Sequence, residues 1–242
     1  RAMASESVLS LGGTRDNESR VVGSSEFESA MYSILGRINY SFDSKYMLTA
    51  NFRRDGSSNF SKKNRYGNFP SFSAAWRISQ ERFMKNLNFI TDLKIRGSWG
   101  VLGNSNINAY QYQSSVSFDK ICYYLNNKRV TGGLPVTPSN PNVKWESQYS
   151  TDLGIDLTMF DNHFIFTFDY YYKKTKDMLV QVPISFAAGY MNNFPVLNAG
   201  SIENKGIEIA LTYRNSYKKL DYSISANLST VKNKVLELGT NN

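Results

Sequence analysis

Again and again along this chain apolar and polar residues alternate with a period of two, and that period restricts the fold more than any other feature. Residues 164–175 read FIFTFDYYYKKT, with Phe164, Phe166, Phe168, Tyr170 and Tyr172 on one parity and Thr167, Asp169 and Lys173 on the other. Side chains that repeat every second position share one face of a β-strand. YSILGRINYSF (32–42), YMLTANFRRD (46–55), SFSAAWRIS (71–79), LKIRGSWGV (93–101), STDLGIDLTMF (150–160), KGIEIALTYR (205–214) and LDYSISANLS (220–229) repeat the scheme, so eight strands are expected. β-branched and aromatic residues suit such strands, and the chain holds 16 Tyr and 15 Phe against 3 Trp.

Connections alternate in length. Short ones fall at 43–45, about 79–92, 161–163 and 214–219, and long ones at about 55–70, 103–143 and 174–204. One rim is therefore tight and the other elaborated, the asymmetry of a transmembrane barrel with short periplasmic turns and long extracellular loops. A soluble β-sandwich also alternates apolar and polar positions. The aromatics favour the barrel, because they gather near strand ends: Tyr32, Tyr40, Phe42 and Tyr46 about one turn, and Tyr170 to Tyr172 and Tyr213 elsewhere. A tyrosine ring settles where hydrocarbon meets water, since its body is apolar and its hydroxyl needs a partner. On this reading Phe164 to Phe168 face lipid tails and Tyr170 to Tyr172 mark the exit into headgroups, where Lys173 and Lys174 meet anionic lipid. The alternating runs are about the nine to eleven residues that a tilted membrane strand needs.

Composition removes several alternatives. No segment approaches twenty apolar residues, so no membrane-spanning helix is expected. One cysteine, Cys122, makes no internal disulfide, and one histidine, His163, has no Cys or His neighbour for a zinc site. Cys122 reads as a half-buried small apolar group and His163 as a turn residue. The N-terminus, RAMASESVLSLGG, has no apolar core and is not read as a signal peptide. Net charge is +8, and Arg53, Arg54, Lys62, Lys63, Arg65 and Arg77 interleave with Phe52, Phe60, Tyr66 and Phe72 in a pattern that would suit phosphates and stacked bases. A solvated loop continuing into lumen-facing charges is the reading preferred, lipopolysaccharide phosphates are the closer anionic partner, and no nucleic-acid partner is expected. Asp152, Asp156 and Asp169 share a polar face, where carboxylates can do acid–base work on sugars or balance Arg and Lys across a wall. The second is expected. An open sheet would leave unpaired edges in lipid, so the eight strands either close on themselves or belong to a larger wall.

YMLTANFRRDGSSNFSKKNRYGNFPSFSAAWRISQERFM, LKIRGSWGVLGNSNI, NPNVKWESQYSTDLGIDL, FDYYYKKTKDMLV and NAGSIENKGIEIAL, in that order from about residue 30 onward, resemble the barrel of SusC/RagA-type TonB-dependent transporters of the Bacteroidetes outer membrane. The resemblance implies an all-β antiparallel barrel of about 22 strands, of which these are about eight. It also implies a plug domain, a SusD-like surface lipoprotein as partner and lid, energy from the TonB complex, and uptake of a glycan or peptide. No enzymatic activity and no cofactor are implied. Residues 1–30 are expected as an extracellular loop segment and 31–242 as part of the barrel. Plug, TonB-contacting box and C-terminal strand are not found in the sequence, so coupling to TonB falls on none of its residues. Candidate contacts to substrate or lid are the loop aromatics Tyr110, Tyr112, Phe118, Tyr123 and Tyr124. Candidate lumen-facing charges are Arg53, Arg77, Lys94, Arg96, Asp152, Asp156, Asp169 and Glu208. Two other readings stay open: a self-contained eight-stranded outer-membrane barrel, adhesive or structural, and a soluble β-sandwich that binds carbohydrate.

Overall fold

The alternating runs form a single antiparallel meander in the computed structural model, which describes residues 28–136, 138–190 and 194–239, with side chains at all of these except 119–122 and 186. Residues 1–27 of the expected loop segment lie outside the described residues. The strands are β1 (Met31–Phe42), β2 (Tyr46–Ser57), β3 (Tyr66–Arg77), β4 (Ile90–Asn104), β5 (Val116–Leu125), β6 (Lys128–Pro135), β7 (Glu146–Met159), β8 (Phe164–Lys176), β9 (Leu179–Gln181), β10 (Val196–Asn198), β11 (Ser201–Tyr217) and β12 (Leu220–Glu237). The main sheet has eight strands in the order β1-β2-β3-β4-β7-β8-β11-β12, so every neighbour in space is the next long strand in sequence. β1 and β12 lie at opposite edges. The described strands therefore do not close on themselves, and among the described residues no second sheet stacks on the first, which sets aside both the self-contained barrel and the sandwich.

Strands run longer than the alternation indicates. β11 has 17 residues and β12 has 18, because the ladder continues through residues that are polar on both faces: Glu203 pairs with Lys234 and Lys205 with Lys232. Backbone pairing needs a partner strand and not an alternating side-chain pattern. This shortens the expected long connection at 55–70 to residues 58–65 and starts β11 inside the expected 174–204 loop. The irregular 103–143 segment holds the hairpin β5–β6, and the 174–204 segment the small pair β9–β10. Asn126 and Asn127 (φ 51° and 57°) turn the β5–β6 hairpin with both residues in the left-handed region, the backbone twist that two-residue hairpins require, and Asp43 and Ser44 (φ 51° and 53°) adopt the same region in the three-residue β1–β2 turn.

Register sorts the two faces. Across the sheet, rows such as Trp76–Ile95–Ile155–Phe168–Ile209–Leu228 are apolar, and rows such as Arg77–Lys94–Asp156–Thr167 are polar. The apolar face stays open: Trp99 is 40% exposed, Leu153 55% and Ile224 66%. Near the short-turn rim it carries the stacked rings of Tyr46 and Trp76. Tyr46 Oη (2.7 Å) and Trp76 Nε1 (3.2 Å) both donate to Glu81 Oε1 in the β3–β4 turn, and these hydrogen bonds, Tyr46 first, hold the Glu81 carboxyl below its usual range.

The most deeply buried side chains belong to the opposite, long-loop rim. Phe60 (0% exposed) and Val143 (1%) pack with Phe69, Val101, Trp145 and Val196, backed by Ile107, Tyr112 and Leu179. Phe69 takes part from the polar-face parity of β3, and its ring lies against Gly67 and Gly103, where any Cβ would collide with it. Asparagines tie the connecting backbone together. Asn64 Nδ2 donates to Asn142 O (2.9 Å) and Val143 O (3.1 Å), Asn140 Nδ2 to Val196 O (2.8 Å), and Asn198 Nδ2 to Lys144 O and Asp177 O (both 2.8 Å). The Trp145 indole donates to Arg65 O at 3.0 Å. Side chains here satisfy backbone groups that no ladder reaches. Phe60→Ala is expected to cost this loop core about 3–5 kcal/mol, read as faster proteolysis within 58–65 and 138–145 while the strands keep their heat-modifiable mobility on gels. Unchanged loop cleavage would show that the cluster does not hold the rim.

Candidate functional site

All eight charged residues expected on one face share it in the observed register. The structure does not join them into one cluster. Arg53 Nε bonds Asp55 Oδ1 at 2.7 Å, on β2 near the loop core. Arg77 holds Asp92 with two parallel bonds, Nε to Oδ1 at 2.8 Å and Nη2 to Oδ2 at 2.9 Å, and the Ser79 hydroxyl adds a third at 2.6 Å. Asp92, placed at the end of a turn by the sequence pattern, lies inside β4 instead, opposite Thr158 and just past a register shift at Ile90.

The remaining group centres on Arg96. Its guanidinium reaches Asp152 Oδ1 through Nη1 (3.2 Å), Asp156 Oδ2 through Nε (3.3 Å) and Asp169 Oδ1 through Nη2 (2.6 Å). Lys94 Nζ shares Asp156 Oδ2 at 2.9 Å. Three strands meet in this arrangement, and a glycine makes room for it. Gly154 stands between Arg96 and Asp169 in register, and a Cβ there would come within 2.6 Å of Arg96 Cζ and run into Asp169 Oδ1. The planar fork of arginine suits three acceptors at once, which a lysine ammonium does not. All three aspartates turn onto this one guanidinium, the arrangement of charge balance. Glu208 lies beside Asp169 in register, with Ser229 on its far side, and among the described residues it makes no ion pair. Two cations thus face four carboxylates in this part of the sheet.

The five loop aromatics are not brought together. Tyr112 packs against the loop core. Tyr110 is 49% exposed, at φ 63° in the approach to β5. Phe118 (59%), Tyr123 (58%) and Tyr124 (73%) stand out from the β5–β6 hairpin. Tyr123 and Tyr124 are consecutive, so they point to opposite faces of it. The Phe118 ring lies over Gly133 of the facing strand. The Cys122 side chain lies outside the described residues. His163 closes the β7–β8 turn, its amide donating to Phe160 O at 3.0 Å. Sequence reasoning missed Phe60, Trp145 and the asparagine clamps; the density of Asn about NPNVKWE was their signal. Arg96→Met is expected to lower stability by about 1–3 kcal/mol, the buried-pair cost reduced for a side chain that is 33% exposed, and Gly154→Ala to act in the same direction. Unchanged thermal unfolding in both variants would show the cluster to be ornamental.

Against this geometry the comparisons agree. The sequence matches the TonB dependent receptor-like β-barrel family over residues 8–241. TonB-dependent receptor P3 of Formosa agariphila is 39% identical over 212 residues, 87% of this chain and 21% of the relative. TonB-dependent receptor SusC of Bacteroides thetaiotaomicron is 33% identical over 214 residues, again 87% and 21%. The chain thus spans about a fifth of the length of these relatives. Among solved structures, the RagAB peptide importer in its closed-closed state superposes with a TM-score of 0.82 at 26% identity, covering 98% of this chain and 26% of that one. The siderophore receptor PirA of Pseudomonas aeruginosa, at TM-score 0.58 and 17% identity over 86% of this chain and 35% of its own, shares the fold. A two-faced meander with one tight and one elaborated rim is what such barrels are made of, and the chain belongs to the TonB-dependent receptor family, as part of the barrel of its SusC/RagA-type members.

Proposed function

We propose that this chain forms a section of the wall and external mouth of an outer-membrane importer that takes up a glycan or peptide as the SusC-like partner of a SusD-like surface lipoprotein, powered by the TonB complex. The observation that carries the reading is the sorting of faces: an open, aromatic-edged face that is uncharged between its two rims, backed by one that is ion-paired. A bilayer would cover the first, and a wet lumen would take the second. Residues 31–242 are then barrel and 1–30 an external loop segment, and Arg53, Arg77, Lys94, Arg96, Asp152, Asp156, Asp169 and Glu208 face the lumen. The likeness to RagAB, a peptide importer, favours the peptide arm of the substrate class.

The β5–β6 hairpin stands at the mouth. Its Phe118, Tyr123 and Tyr124, with Tyr110 beside it, offer flat rings for substrate or lid, and Tyr112 keeps the hairpin's base on the loop core. Uptake of labelled oligopeptides or oligosaccharides by cells expressing the whole transporter tests this directly. Removing 116–135 is expected to abolish uptake while the barrel still assembles; intact uptake would strike the hairpin from the site. Phe166→Arg is expected to impair membrane assembly by about 2–4 kcal/mol, against a much smaller cost for Thr167→Arg on the neighbouring, polar position. Equal losses of heat-modifiable barrel in the outer-membrane fraction would show the faces to be assigned the wrong way round.

A further inference from the structure

The uncharged face ends abruptly. Across β8, β11 and β12 the rows Phe166–Leu211–Ala226, Phe168–Ile209–Leu228 and Tyr170–Ile207–Thr230 hold no ionised group. The next row toward the long-loop rim is Tyr172–Lys205–Lys232, and the one beyond it Lys174–Glu203–Lys234. All six residues keep the parity of the apolar face. Four lysines and one glutamate thus occupy two adjacent rows, about 7 Å apart. Lys205 and Lys232 stand directly opposite each other, a like-charge pairing that weakens a sheet unless something anionic lies against it. Glu203, the one carboxylate in these rows, accepts instead from Tyr172 Oη at 3.1 Å. Among the described residues none of the four lysines is in an ion pair.

We propose that these two rows are a binding site for a phosphorylated glycolipid headgroup of the outer leaflet. The phosphate sits against Lys205 and Lys232, with Lys174 and Lys234 flanking it, and the acyl chains run down the Tyr170–Ile207 and Phe168–Ile209 rows. Charge complementarity identifies the headgroup, and continuity with the apolar face identifies the lipid: an anion bound here stands one strand step above the point where hydrocarbon contact would end. Tyr172, between Lys205 and the aromatic belt, has the apolar ring and polar tip of a headgroup-level residue. Lysine ammonium groups near a membrane surface attract anionic lipid additively. The site rests on the outward assignment of the apolar face made above.

The test uses the intact transporter that carries this segment, purified in detergent and returned to phosphatidylethanolamine nanodiscs. Phosphorylated lipid A, dephosphorylated lipid A and phosphatidylglycerol are titrated separately. The double variant Lys205→Gln/Lys232→Gln is expected to bind phosphorylated lipid A roughly ten- to thirty-fold more weakly than the parent, whereas Lys218→Gln/Lys219→Gln in the β11–β12 turn at the opposite rim leaves binding unchanged. In lipid-free detergent the β11–β12 double variant is expected to melt higher than the parent, because the opposed charges are gone, and to gain less from added lipid A. Unchanged lipid A affinity in a folded, heat-modifiable barrel overturns the site. Equal binding of phosphatidylglycerol, or of dephosphorylated lipid A, overturns the assignment to a phosphorylated glycolipid. If the parent protein is not recovered as a membrane barrel at all, the importer reading falls first, an outcome distinct from either of these.

Discussion

Inside a hydrocarbon layer a backbone amide has no water to turn to, and each unsatisfied group costs several kcal/mol. A sheet meets that demand only if every strand has a partner on both sides over its full crossing. The up-and-down order of the eight long strands does this by pairing each strand with the next long one in sequence. Strand length follows from the same demand. A residue opposite a paired neighbour stays in the ladder whatever its side chain, which is why β11 and β12 continue well beyond their alternating parts. The unpaired outer edges of β1 and β12 are where a continuing wall would add its next strands.

Once the ladder exists, the pleat separates two environments a single residue apart. One face carries the bulk of the aromatic and aliphatic side chains in the open; the other brings charges close enough to be answered locally. Arg96 is the centre of that second face, reaching aspartates on β7 and β8 through a gap left by Gly154. Such pairing answers the Arg96 and Lys94 charges within the wall itself. Glu208 is left over on this face, adjacent to Asp169 and in no ion pair among the described residues.

A barrel wall has no interior of its own, and the protein's only substantial apolar core among the described residues is therefore built where the chain leaves the sheet. Phe60, Trp145 and Val143 come from two connections that lie about eighty residues apart in sequence, and Phe69 anchors them to β3. Asparagine side chains replace the missing ladder by bonding to carbonyls of neighbouring loops. The result is an elaborated rim with a rigid base, from which the β5–β6 hairpin stands out with its exposed rings.

Periodicity was enough to read the eight long strands, the sharing of faces within their alternating runs, and the tight and elaborated rims, because parity in a pleated strand is a local property that needs no partner. It also placed all eight charged candidates on one face. It could not say that Arg96 would hold three aspartates, that Asp92 would leave its turn to meet Arg77, or that Tyr112 would support the rim while Phe118, Tyr123 and Tyr124 stood free. Strand ends and the hairpin inside the 103–143 segment were equally beyond it, since a ladder can extend through residues without alternation. Those outcomes depend on which strands become neighbours and in what register, and only the folded sheet brings residues sixty or eighty positions apart within hydrogen-bonding distance.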